Sequence, residues 1–239
     1  MQVEFRPAGG TALQLDYEIF THLLRPGTDP PAIRSALGSV PPGLTDLLDA
    51  LRSPDLTVTV DVSTAPTRRR HRFAYAATSG AALIAVNDST LRLVPASRAF
   101  AASGLAQAVS LRPFPGDRMG PSEPADDQTI TDLVAQDQAR RSSALAQLRS
   151  DLAWRIRAAG DRQLDLTAAV RRDALLVSAD GGPGLTPASS TAVFRRLTRL
   201  TTLPGLTTLP GLPGLPGLPG LPDKPSEPQR LSGATGSPA

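Results

Sequence analysis

The densest group of reactive side chains in the sequence is the run RRRHR, four arginines and a histidine at positions 68–72, which two aromatic residues follow at alternate positions. Guanidinium groups form paired hydrogen bonds with phosphates and carboxylates. The run therefore has three interpretations. It is a nucleic-acid site in which arginines bind phosphates and rings stack on bases, a loop that binds another protein, or a charged loop that only faces water.

Strand alternation weighs against the nucleic-acid interpretation. If RHRFAYAATS is a strand, Phe73 and Tyr75 lie on the face opposite Arg72, so the rings enter the core while the charges face water. The formal net charge is only +3, whereas nucleic-acid binding usually needs a concentrated basic face. Protein binding is therefore the favoured use of the cluster, with a charged loop that only faces water and nucleic-acid binding as the alternatives.

The sequence offers no residues for an enzyme active site or a metal site. Its two histidines, His22 and His71, lack the spacing of a metal-binding pair, and there is no cysteine to supply a thiolate ligand. The glycine-rich run at 181–184 does not match the phosphate-binding loop motif, and no GxSxG nucleophile motif occurs. Asp126 and Asp127 suit helix capping better than paired-carboxylate catalysis. We expect a protein without enzymatic activity, cofactor or metal.

Composition predicts a soluble chain with a core. Of its 239 residues 40% are apolar, enough for one good-sized domain or two small ones. The N-terminal MQVEFRPAGG lacks the basic start and apolar run of a secretory signal. No stretch approaches the ~20 apolar residues needed to span a bilayer. Together with the lack of cysteine, these features predict a cytoplasmic protein.

The first half of the chain contains the clearest secondary-structure patterns. A helix is predicted in TALQLDYEIFTHLL, whose start could equally be a strand. A second is predicted in VPPGLTDLLDALRSPD, where leucines at 44, 47, 48 and 51 share a face and Pro54 ends the helix. LTVTVDVST alternates strictly and predicts a strand buried on one side only, with Asp61 and Ser63 on the polar side. RHRFAYAATS, AALIAVN and LRLVPAS follow at the spacing of an antiparallel meander.

The second half repeats this order. A helix over 96–110 is expected to bury Phe100, Leu105 and Val109 against the meander. After a turn-rich segment, a long helical stretch is predicted to begin at Asp127 and to carry an apolar stripe as far as Leu152, with a polar interruption. Two strands follow, RQLDLTAAV and ALLVSAD, and then a last helix. The apolar face of that helix is expected to comprise Val193, Phe194, Leu197 and Leu200.

The repeated order of helix, strands and helix predicts an α+β fold, with a central antiparallel sheet, flanking helices and an internal quasi-two-fold. This domain is expected to span 1–200. The segment 201–239 is rich in Leu-Pro-Gly triplets. It is expected to be a disordered, locally polyproline-II tail, because proline removes hydrogen-bond donors and few large side chains are present to form a core.

Two runs of the first half resemble the EspG proteins, which are associated with ESX (type VII) secretion in mycobacteria and other actinobacteria. In PPGLTDLLDALRSPDLTVTVDV, residues 50–55 match the family's end of a short Leu-rich helix before a strand. In RHRFAYAATSGAALIAVNDSTLRLVPAS, residues 77–95 match the family's hairpin pair. The resemblance covers 40–120 and, more faintly, 174–200. The chain departs from the family in a short segment, 125–173, without the family's usual run of strands, and in its Leu-Pro-Gly tail.

The resemblance implies a cytoplasmic, non-enzymatic chaperone with a quasi-two-fold α+β fold. EspG proteins bind PE–PPE heterodimers at the tip of the PPE helical bundle, where they cover an apolar patch and keep the substrate soluble until export. The hairpin loop after the first sheet strand belongs to the family's binding surface and corresponds to Ser63–Arg70 in this chain. A nucleic-acid-binding regulator and a scaffold whose tail docks to an aromatic groove stay open as alternatives, and no membrane insertion is expected. The residues expected to contact the partner are Thr67, Arg68, Arg69, Arg70 and Arg72.

Overall fold

The computed structural model describes residues 13–25, 43–77, 79–87, 89–114, 122, 124–179 and 184–202. The strands within these ranges are β1 Leu13–Asp16, β2 Leu56–Ser63, β3 Arg68–Tyr75, β4 Gly80–Ala85, β5 Thr90–Pro95, β6 Leu152–Gly160, β7 Leu164–Val170, β8 Leu175–Ala179 and β9 Thr186–Pro187. The helices are α1 Tyr17–Leu23, α2 Leu44–Arg52, α3 Ala101–Ala108, α4 Asp127–Asp132, α5 Gln138–Gln147 and α6 Ser190–Thr201, and a 3₁₀ turn at Arg98–Phe100 precedes α3. The predicted tail lies outside the described residues from Leu203 onward.

All nine of these strands form one antiparallel sheet with the order β1-β5-β4-β3-β2-β6-β7-β8-β9. Strands β2 and β6 pair at its centre, with Val60 opposite Ile156. From this pair the chain continues outwards through β3-β4-β5 on one side and β7-β8-β9 on the other. Strands β2 to β5 follow helix α2 and precede α3, and strands β6 to β9 follow α5 and precede α6. The predicted α+β fold with a quasi-two-fold between its halves is confirmed.

One face of the sheet carries the main core. Leu56, Val58 and Val60 of β2 are fully buried on this face, as their alternation predicts. Trp154 and Ile156 of β6 lie beside them, and α3 and α6 cover the whole set. The two halves of the chain therefore share a single apolar layer.

The opposite face is covered by helices at its two ends. Helices α1 and α2 pack on Leu83 of β4 and Leu93 of β5, and the four leucines predicted to form the face of α2 are all buried. Helices α4 and α5 pack on Ala153 of β6 and Leu176 of β8. Between these two helix pairs, the described part of this face carries polar side chains and is open to solvent.

Strand β6 replaces the end of a predicted helix. The helical stretch expected from Asp127 is instead two short helices, α4 and α5, and Leu152 begins β6. Asp126, rather than Asp127, caps α4: its carboxylate accepts the Thr129 N–H at 2.6 Å, which lowers the pKa of Asp126. The polar run after α4 offers no apolar face, and Asp137 caps a new helix there. The segment 125–173 therefore does contain strands, which corrects the departure from the EspG pattern inferred from sequence.

Two phenylalanines that were expected in the core lie at the surface. Phe100 is 74% exposed, whereas Leu105 and Val109 are buried as predicted. The reason is that the predicted helix begins as a 3₁₀ turn, which has three residues per turn instead of about 3.6. Phe100 is therefore rotated away from the core-facing side that it would occupy in an unbroken α-helix. In α6, Phe194 is 38% exposed at the edge of the apolar stripe. The buried members of that stripe are Val193, Leu197 and Leu200.

The first predicted helix begins as a strand. Residues 13–16 form β1, which pairs with β5 at one edge of the sheet, and α1 starts only at Tyr17. The sequence was compatible with both structures, and the pairing with β5 decides between them.

Glycine is required where β6 ends beside the start of β2. Gly160 has φ +130°, a conformation that other residues rarely adopt. A Cβ atom at Gly160 would clash with the carbonyl oxygen of Asp55. The same oxygen accepts the N–H of Asp161 at 3.0 Å. The close approach of the two central strands therefore depends on the missing side chain.

Candidate protein-binding site

On the sheet face opposite α3 and α6, the middle is open between the two helix pairs. This open region forms a groove, which we name the central groove. Two hollows of about 710 Å³ and about 430 Å³ make up the groove, and both are lined by Arg157. Its floor consists of strand residues, and the connection between α4 and α5 forms a wall. The polar floor residues are Thr57, Thr59 and Asp61 of β2, Arg68 and Arg70 of β3, Arg155 and Arg157 of β6, and Asp165 of β7.

Asp61 is the buried centre of this groove. Its side chain is 1% exposed, although alternation along β2 predicted that it faces water. One carboxylate oxygen accepts hydrogen bonds from Arg68 at 2.6 Å and from Arg70 Nε at 2.8 Å. The guanidinium of Arg157 lies 3.6 Å from the other oxygen. Asp61 is buried because β2 is the central strand and the arginines of β3 and β6 close over it from both sides.

Two further ion pairs lie along the groove. Arg155 binds both oxygens of Asp165 on the neighbouring strand, at 2.8 Å and 2.6 Å, and these hydrogen bonds raise the pKa of Arg155. On the wall, Arg140 of α5 binds Asp132 of α4 at 2.5 Å. The aspartates of these two pairs are thus already neutralised by one arginine each.

The predicted binding cluster divides between the two faces of the sheet. Because β3 begins at Arg68, the arginines are strand residues, which corrects the expected loop Ser63–Arg70. Arg68 and Arg70 lie opposite Ser63 and Asp61 in register, on the groove face, and Arg72 shares that face. Arg69 lies on the other face. The loop proper is the turn Thr64–Thr67.

The β2–β3 turn is held against α5 rather than projecting freely. Arg141, a buried residue of α5, donates hydrogen bonds to the carbonyls of Thr64 at 2.9 Å and Ala65 at 3.3 Å. The same guanidinium also binds the carbonyls of Ala135 and Gln136. Within the turn, the Thr64 N–H donates to the Thr67 carbonyl at 2.8 Å. This arrangement fixes Thr67 beside the groove wall.

The aromatic residues of β3 are buried, as their alternation predicted. Phe73 and Tyr75 stack with their ring centres 6.5 Å apart, under α3 and α6. His71 lies on the same face and its Nδ1 accepts the Ala85 N–H at 3.1 Å. Burial lowers the pKa of His71, the nearby charge of Arg69 lowers it further, and Asp61 acts in the opposite direction. Neither ring is accessible for stacking on a nucleic-acid base.

Burial also acts on the arginine nearest to Asp61. Desolvation lowers the pKa of Arg68, the charge of Asp61 opposes this, and the neighbouring cations lower it further. Arg68 therefore combines partial burial with one neighbouring carboxylate and several neighbouring cations.

The described residues contain no group of three or more histidine, aspartate or glutamate side chains that could hold a metal ion. No described helix is long and apolar enough to cross a membrane. The arginines of β3 were evident from the sequence, whereas Asp61, Arg155 and Arg157 were not recognised as parts of the same site. The alternation of Trp154, Ile156 and the intervening arginines in LAWRIRAAG was the signal that could have revealed β6.

Comparison with known proteins shows a likeness in structure only. No family model matches the sequence. No curated protein matches it either. The structure is similar to that of the Mycobacterium tuberculosis type VII secretion system chaperone EspG5, solved in complex with the PE25–PPE41 dimer. The TM-score is 0.52 at 13% sequence identity, over 82% of this chain and 98% of that chain. At this identity the likeness shows the fold, so the chain shares the fold of a type VII secretion chaperone.

Proposed function

We propose that this chain is a cytoplasmic chaperone of type VII secretion that binds helical proteins of the PE–PPE type and keeps them soluble for export. The observation that carries the proposal is the fold shared with EspG5, because the likeness extends over nearly the whole EspG5 chain. The EspG5 structure was solved in complex with a PE–PPE dimer. The likeness agrees with the resemblance of residues 40–120 to EspG proteins. We refer to the bound helical pair as the client.

The proposed contact surface is the groove side of the sheet together with the β2–β3 hairpin. Arg70 and Arg72 of β3 and the turn residue Thr67 face or border this side. Arg68 shares it but is largely engaged with Asp61. Arg69 is exposed on the other face near the hairpin tip, so it contacts the client only if the client wraps around that tip.

A function without catalysis is supported by the chemistry of the groove. Of the aspartates that line it, Asp61, Asp132 and Asp165 are paired with arginines and Asp137 caps α5. The described hydroxyls that line it belong to threonines, and His71 lies on the other face of the sheet. General acid–base or nucleophilic catalysis needs a base next to the reacting group. The nucleic-acid alternative has less support, because Phe73 and Tyr75 are buried.

Co-expression tests the proposed function. The full chain is produced together with a PE–PPE-like pair from the genome that encodes it, and the soluble amount of that pair is compared with and without the chain. We expect the pair to become soluble and to co-purify with the chain. A pair that stays insoluble in the presence of folded chain, or a genome without any such pair, contradicts the proposal.

A further inference from the structure

The arginines around Asp61 carry more positive charge than their single carboxylate neutralises. Arg68, Arg70 and Arg157 all contact Asp61, which leaves this group two positive charges in excess. The other groove pairs, in contrast, match one arginine to one aspartate. The excess positive charge is therefore located at one place on the groove floor.

Two of these three arginines are accessible from the groove. The side chain of Arg70 is 53% exposed and that of Arg157 is 46% exposed. Because both contact the same carboxylate, their guanidinium groups lie close together, and each has further N–H donors. The buried Nε atoms of Arg68 and Arg72 also have no hydrogen-bond partner among the described residues. Donors thus outnumber acceptors on this part of the face.

We propose that the central groove binds a carboxylate-bearing segment of a protein, with a glutamate or aspartate side chain seated between Arg70 and Arg157. Guanidinium groups match carboxylates in shape and charge, and a half-buried groove screens the attraction less than open water does. The proposal rests on the proposed function only in taking the client as the source of that segment. The acidic-segment site adds a chemical property to the proposed client: its contact surface carries acidic side chains in addition to any apolar area.

A protein carboxylate fits this groove better than a nucleic-acid backbone. A phosphate chain needs several free cations in succession, whereas Arg140 and Arg155 are each already bound to an aspartate. A single carboxylate needs only the local positive charge that Arg70 and Arg157 provide. The groove therefore selects a local acidic group rather than a continuous polyanion.

Matched peptides test the inference on the full chain. One fluorescent, alanine-based helical peptide carries two glutamates one turn apart, a second carries glutamines at the same positions, and single-stranded oligothymidine serves as the polyanion. We expect the glutamate peptide to bind about fivefold more tightly than the glutamine peptide, which corresponds to about 1 kcal/mol, the upper end for a half-exposed ion pair. This preference should vanish between about 0.1 M and about 1 M salt, as the Debye length falls from ~10 Å to ~3 Å.

Arginine variants locate the binding. Arg157→Gln should weaken the glutamate peptide about fivefold, while leaving the glutamine peptide unchanged. The control Arg195→Gln/Arg196→Gln removes two exposed arginines of α6, on the opposite side of the sheet, and should change neither. Equal binding of the two peptides, including none of either, overturns the inference. So does tighter binding of oligothymidine, or an Arg157→Gln variant that folds normally and binds like the wild type.

The peptide experiment and the co-expression experiment fail independently. If the glutamate peptide binds at the groove but no PE–PPE pair is kept soluble, the acidic-segment site stands and the proposed function is wrong. If a PE–PPE pair is kept soluble but its complex is insensitive to salt and to Arg157→Gln, the proposed function stands and the acidic-segment site is wrong.

Discussion

Replacement of Asp61 by asparagine removes the one negative charge that holds three arginines together. The substitution keeps the size and shape of the side chain, so it leaves no cavity. It replaces an acceptor with an NH₂ group that faces guanidinium donors at 2.6–2.8 Å. The excess positive charge of the cluster rises, and Arg68, whose side chain is 18% exposed, loses its charged partner.

The expected cost follows from the burial of the partners. Removing one member of a fully buried ion pair costs about 3–5 kcal/mol. Arg70 and Arg157 are about half exposed and can turn towards water, so we place Asp61→Asn at the lower end, about 3 kcal/mol. For a domain of this size, that loss corresponds to a melting temperature lower by roughly 6–12 °C.

Asp165→Asn is the matched control, because Asp165 accepts two hydrogen bonds from one arginine in a similar geometry but is 37% exposed. Exposed ion pairs contribute up to about 1 kcal/mol. Urea unfolding followed by circular dichroism gives both free energies, provided that the m-values agree. A cost for Asp61→Asn that does not exceed the cost for Asp165→Asn would refute the assignment of Asp61 as the buried centre of the groove.

Three further predictions concern the fold. Because burial lowers the pKa of His71 below its ordinary 6.5, the unfolded chain binds the proton first. Urea unfolding should therefore show wild-type stability falling as the pH drops below 6.5, by up to about 1.4 kcal/mol per pH unit, with a shallower fall in His71→Gln. Phe100→Ser should change the unfolding free energy by less than about 0.5 kcal/mol, whereas Leu105→Ala should cost about 2–5 kcal/mol; similar values for both would contradict the exposed position of Phe100. Thermal melting should show that Gly160→Ala lowers the stability by at least about 2 kcal/mol. Gly104→Ala lies on an open helix face and should raise the stability by up to about 1 kcal/mol. The reverse order would contradict the close approach of the two strands at Gly160.

The first half of the fold was predictable because its signals are local. Alternation in β2, turn residues between β3, β4 and β5, and the leucine face of α2 each depend on residues near one another in sequence. Strand β6 was missed because Leu145, Leu148 and Leu152 continue a helical spacing into it. Tertiary pairing with β2 decides that LAWRIRAAG is a strand, and local propensity alone does not show this.

The groove could not be read from the sequence for the same reason. Arg157 and Asp61 are 96 positions apart, and only the pairing of β6 with β2 brings them together. The arginines of β3 were visible as a cluster, but their division between the two faces and their link to Asp61 depend on the strand beginning at Arg68. Asp61 itself looked like a solvent-facing residue, because an alternating pattern does not show what covers its polar side.

Arginine modification by phenylglyoxal, read by mass spectrometry, tests most directly whether the groove side of the sheet meets the client. The full chain is modified alone and in complex with its client. Arg70, Arg157 and the two α6 arginines, Arg195 and Arg196, are accessible in the free chain. We expect the client to protect Arg70 and Arg157 and to leave the α6 pair reactive. Protection of the α6 pair with full reactivity of Arg70 and Arg157 would place the client on the opposite side of the sheet and contradict the proposed contact surface.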